Sequence, residues 1–146
     1  MASDYMAKAH ELVEAEMENI RQVIAELPSA DLMPNLSSLE LTGVAALIHN
    51  FYNGIENILK QMVVHLGVEL PHNSSWHRDL VNLGVSNGII SESTAEDLKR
   101  YLAFRHFFSH GYSFDLDKAR IIPLVKGIKG AFASFTDEIN RALKKS

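Results

Sequence analysis

Eight consecutive residues bring an arginine, two histidines and a tyrosine together: Arg105-His106-Phe107-Phe108-Ser109-His110-Gly111-Tyr112. Histidine, with an ordinary pKa of ~6.5, gives and takes protons near neutrality. Arginine never loses its charge, and its planar fork of donors matches the oxygens of a phosphate. Together these types suit proton transfer beside an anionic phosphorus. From Lys99 to Tyr112 the fixed cations Lys99, Arg100 and Arg105 accompany the two histidines, and no acid intervenes. The whole chain has a formal net charge of -4, which opposes broad non-specific affinity for nucleic acid. Any RNA contact is therefore expected in this local stretch.

These residues close an expected helix. Ser93-Thr94-Ala95-Glu96 has the form of a capping box and would open it. Leu98, Tyr101, Leu102 and Phe108 form its apolar side, and Arg105 falls on that side. A guanidinium so placed needs a carboxylate, a wet cleft or an anionic ligand to offset its desolvation. Glu56, flanked by Tyr52, Ile55 and Leu59, is the candidate carboxylate. Spacing alone favours a core ion pair between Arg105 and Glu56. His106 and His110 are four apart and share a helix face. No third ligand stands near them, so no metal site is expected, and two partly exposed histidines is the plainer reading. Arg105 and His110 are five apart, about 140° on an ideal helix. Gly111 could end the helix and turn His110 back; a dimer could bring a second copy of each group nearby.

The remaining elements are also read as helical. Met6, Val13, Met17, Ile20, Ile24 and Leu27 repeat along one face up to Pro28. Leu41, Val44, Ile48, Phe51, Ile55, Ile58, Met62 and Leu66 form a second stripe, from Ser37 or Ser38 to Gly67. Pro28 to Pro34 and residues 67 to 75 read as the longer loops, and a short apolar segment runs from Trp76 to Gly84. A last stripe of Ile121, Val125, Ile128, Phe132, Phe135, Ile139 and Leu143 begins around Asp117, with Pro123 able to kink its first turns. The expected fold is all-α, an antiparallel up-and-down helical bundle of about four to five helices, in a single domain over residues 1–146. His10, His49, His65, His72 and His77 are assigned to structure or surface, and Trp76 to the core or to stacking on a base. The absence of cysteine excludes disulfides and thiolate chemistry. No apolar run reaches the ~20 residues of a membrane span, no secretory signal is visible, and a cytoplasmic location is the simplest expectation. Phosphate-cradling glycine loops, nucleophile elbows and Cys-His arrangements are not found.

Arg105-x4-His110, with His106 directly after the arginine and Gly111-Tyr112 directly after the second histidine, resembles the signature of the HEPN ribonucleases. The extension to Tyr112 and Asp115 is similar to the narrower HepT-like toxins. The resemblance implies an endoribonuclease that needs no metal or cofactor, the toxin of a type VII toxin–antitoxin pair. In it, Arg105 would clamp phosphate, His110 would act as general acid or base, and His106 would help position the reacting groups. It also implies a homodimer, and an MntA-like minimal nucleotidyltransferase antitoxin that transfers AMP to Tyr112. Two alternatives stay open: a catalytically silent HEPN-like module that binds a nucleotidyltransferase or nucleotide, and a purely structural helical dimer.

Overall fold

The computed structural model describes residues 2–109 and 116–145. Helix α1 spans Ala2–Glu26, α2 Ser38–His65, α3 Trp76–Ser86, α4 Glu92–Ser109 and α5 Lys118–Lys144. Among the described residues there is no strand, and the architecture is the all-α one expected. His110, Gly111, Tyr112 and Asp115 lie outside the described residues.

Local chemistry explains most boundaries. Ser37 caps α2 reciprocally with Glu40: the Glu40 amide donates to Ser37 Oγ at 3.1 Å, and the Ser37 amide donates to Glu40 Oε1 at 3.0 Å. Beyond α2, Gly67 adopts φ +76°, the left-handed conformation that closes a helix end. Three boundaries differ from expectation. The Pro28 to Pro34 loop contains a 3-10 turn, Ala30–Asn35, which buries Met33. Lys118 donates to the carbonyls of Pro34 and Leu36, tying that turn to the start of α5. Next, α3 does not stop at Gly84 but continues to Ser86, and the left-handed residue is Gly88 at φ +70°. Gly84 serves packing instead, since a Cβ there would stand 3.1 Å from Ile90 and 3.3 Å from Leu59. Finally, α4 begins at Glu92, so its cap is Ser91 rather than Ser93. Ser91 Oγ accepts from the Thr94 amide at 3.1 Å. The carboxylate completing the cap is Glu138 of α5, which accepts from the Ser91 amide and the Thr94 hydroxyl, in place of Glu96.

Contacts fix the directions of the helices. Asn57 donates to Glu16, and Gly54 abuts Ile20 so closely that a Cβ would come within 2.6 Å of Ile20 Cγ1, so α1 and α2 run antiparallel. His49 lies against Phe108 and Asn53 against Arg105, so α2 and α4 are antiparallel too. Tyr101 bonds the Leu124 carbonyl at 2.7 Å while Thr94 meets Glu138, which makes α5 antiparallel to α4. The core between them contains Met17, Ile20, Phe51, Ile55, Leu59, Leu98 and Phe135. On α4 the buried stripe is Ala95, Leu98, Tyr101 and Phe104. Phe104, rather than Leu102, continues that seam, and Arg105 sits at its flank. Helix α5 continues through Pro123. No helix among the described residues is long and apolar enough to cross a membrane.

Candidate functional site

Three turns of α2 build one wall of the site. His49, Asn53 and Glu56 follow i, i+4, i+7 spacing and so share a face. Glu56 is buried, with 4% of its side chain exposed. A carboxylate removed from water costs several kcal/mol unless charge and hydrogen bonds compensate. Here compensation comes from two other helices. His77, in the first turn of α3, donates from Nδ1 to Glu56 Oε2 at 2.7 Å. Arg105 of α4 places Nε 3.9 Å from Glu56 Oε1.

The arginine's closest bond goes to a neutral partner. Its Nε donates to Asn53 Oδ1 at 3.0 Å, and its Nη1 stands 3.5 Å from His77 Nε2. Asn53 in turn donates from Nδ2 to His49 Nδ1 at 3.3 Å, which requires a lone pair on that nitrogen. Burial and then the positive charge of Arg105 push the His49 pKa below its ordinary value, in keeping with the neutral ring. Tyr52 is one turn before Glu56. Burial, followed by the nearby Glu56 carboxylate, pushes its phenol well above the ordinary range, so it stays neutral. Its hydroxyl lies close enough to feel that carboxylate but finds no hydrogen-bond partner of good geometry among the described residues.

Arg105 is not sealed in this network, because 23% of its side chain is exposed. It opens on a cavity of about 560 Å³ between α3 and α4, whose walls also include Ser75, His77, Arg78, Lys99 and His106. Among the described residues, no carboxylate lines that cavity. His106 is exposed at the end of α4, and it also borders a more apolar cavity of about 600 Å³ with Phe104, Phe107, Ile121 and Leu124.

Of the residues singled out in the sequence, the structure brings Arg105, His106 and Glu56 to one region. His110 and Tyr112, outside the described residues, are not placed by it. Sequence reasoning misses Asn53, and it assigns His49 and His77 no chemical role, yet all three belong to the network around Arg105. Asn53 carries a usable signal, its i, i+4, i+7 register with His49 and Glu56. His77 carries none, since it reaches Glu56 from another helix.

A family model described as HepT-like protein matches residues 43–145. The chain belongs to that family. The matched HepT-like span begins in the first turns of α2 and covers α3, α4 and α5, and therefore includes every residue of the Arg105 network. No curated protein and no solved structure matches the chain.

Proposed function

We propose that this HepT-like chain is the ribonuclease toxin of a toxin–antitoxin pair, cleaving RNA at a site centred on Arg105. The observation that carries the reading is the state of that arginine. Its Nε edge is pinned by Asn53 and flanked by Glu56, and its side chain reaches a cavity bordered by cations and, among the described residues, lined by no acid. Such a fork is preorganised for phosphate: fixed donors aimed at developing charge need little reorganisation during reaction.

In this reading the RNA 2′-hydroxyl attacks the adjacent phosphorus, leaving a 2′,3′-cyclic phosphate and a 5′-hydroxyl. Arg105 binds the non-bridging oxygens as charge accumulates on them. His110 transfers a proton as general acid or base, and His106 helps hold the substrate. A homodimer would set two copies of the segment 105–112 side by side, giving each site access to a second set of groups. A partner nucleotidyltransferase would silence the toxin by attaching AMP to Tyr112.

A core ion pair explains the network less well. Arg105 and Glu56 are separated by 3.9 Å, without the short bidentate geometry that offsets desolvation of both charges, and the arginine is partly open to solvent. The silent-module reading has no comparable observation in its favour. Incubating the purified protein with RNA in the presence of a chelator tests the proposal. Fragments ending in 2′,3′-cyclic phosphate, lost in Arg105→Ala, support it; intact RNA leaves a binding module.

A further inference from the structure

The cavity that receives Arg105 has a second cationic group. Lys99 precedes Arg105 by six residues, about 9 Å along the helix axis at ~1.5 Å per residue. Lys99, Ala103 and His106 follow i, i+4, i+7 spacing and face the same cavity. Arg78, directly after His77 in α3, borders it from the opposite helix. Among the described residues no carboxylate stands within 4.0 Å of the Arg78 guanidinium. Lys99 has the exposed Glu96 at 3.9 Å, a pairing of small worth that an incoming anion would displace readily. The nearest acid on α3, Asp79, is engaged by the Ser75 hydroxyl at 3.0 Å.

This concentration of positive charge runs against the composition. The chain has 18 acids and 14 fixed cations, yet this cavity takes Arg78, Lys99 and Arg105 with no acid among the described residues of its lining. Glu56 neutralises Arg105 in part, which leaves Arg78 and Lys99 as the source of the local field. A concave site of about 560 Å³ accepts nucleotide-sized groups.

We infer that Arg78 and Lys99 form a second phosphate subsite, which holds the backbone phosphate next to the one at Arg105 in single-stranded RNA. The inference rests on the ribonuclease reading for the identity of the strand. It gives an acidic protein a local means of holding RNA: two phosphates are engaged in one cavity, and the scissile one is delivered to Arg105. Each phosphate neutralised by a cation releases bound counterions, so the subsite is visible in the salt dependence of binding.

The test uses a short fluorescent 2′-O-methyl oligoribonucleotide, which keeps the phosphates but lacks the attacking hydroxyl. Its affinity for the full-length protein is measured by anisotropy over a range of salt. Arg78→Ala/Lys99→Ala should weaken binding and flatten the slope of log K against log salt by ~0.7, the value for one single-strand phosphate that is no longer neutralised. Lys126→Ala/Lys129→Ala, on the exposed side of α5, should leave both unchanged. An unaltered slope in the first variant, no binding by the wild type, or AMP binding as tightly as the oligonucleotide would each overturn the subsite. Cleavage of the unmodified oligonucleotide is scored separately. Binding with the expected slopes but no cleavage would sink the ribonuclease reading and keep the subsite.

Discussion

Glu56 Oε2 and His77 Nδ1 stand 2.7 Å apart, joining α2 to α3 through a carboxylate almost wholly shut off from water. The bond fixes the imidazole, because Nδ1 must carry the proton and Nε2 is left facing Arg105. Among the described residues, charge balance around Arg105 therefore depends on one acid. Removing it in Glu56→Ala leaves Arg105 without its counter-charge and should cost about 3 kcal/mol, near the lower end for breaking a buried pair because the guanidinium keeps some water. Glu56→Gln, which retains shape and an acceptor, should cost less. Urea unfolding curves of the two variants measure the difference: equal losses would assign the whole effect to the charge, and no loss in Glu56→Gln would mean that the charge of Glu56 contributes nothing.

The sequence displays some of this arrangement and conceals the rest, according to how far the partners are apart along the chain. The Ser37–Glu40 cap is complete within one turn, so the start of α2 is visible in the residues themselves. At α4 the capping carboxylate is Glu138, 44 residues beyond Thr94, and the local Ser93–Glu96 pattern points to the wrong residue. The same holds in the site. Glu56 is a credible neighbour for Arg105 because both lie beside apolar seams with helical spacing. His77 is 21 residues from Glu56 and 28 from Arg105, across loops with no periodicity. Only packing of α3 against the other helices brings it in. The boundary between Phe104 and Arg105 is also illegible, since a one-residue shift on a helix moves a side chain ~100° and decides which of two neighbours enters the core.

Arg105 should matter far more to cleavage than to folding. Arg105→Lys keeps the charge but loses the fork that bonds Asn53 and would bind phosphate in two places. Both Arg105→Lys and Arg105→Ala should lower kcat by about 10²- to 10³-fold, the scale of losing a preorganised donor to developing charge, with helical circular dichroism unchanged. A folded Arg105→Ala protein with wild-type activity would remove the arginine from the mechanism. An unfolded one would return it to the core.

His49 should make stability depend on pH. Its folded pKa is depressed, chiefly by burial and secondarily by Arg105, so the unfolded chain binds the proton more readily. The stability this contributes is present above the unfolded value of ~6.5 and is lost as pH falls below it toward the folded pKa. His49→Gln removes the titration. Thermal unfolding at pH 7.5 and pH 5 should show a larger loss of Tm for the wild type than for the variant. An equal loss in both would show that His49 is not the group responsible.

Regulation through Tyr112 gives the last prediction. The tyrosine follows His110 by two residues, with Gly111 between, so in the proposed reading a group attached to it would reach the phosphate site assigned to Arg105 and His110. Attack of that hydroxyl on the α-phosphorus of ATP would release pyrophosphate and leave an AMP phosphodiester, a bulky anion. Arginines and lysines arranged to hold RNA phosphate would hold this one equally well, so the modified chain should be inhibited by its own tethered nucleotide. Loss of activity should then appear mainly as a raised KM. Intact-mass spectrometry after co-expression with a partner nucleotidyltransferase should show whole AMP increments on the wild type and none on Tyr112→Phe. Increments that persist in the variant would assign modification to another residue, and their absence from the wild type would point to inhibition by complex formation alone.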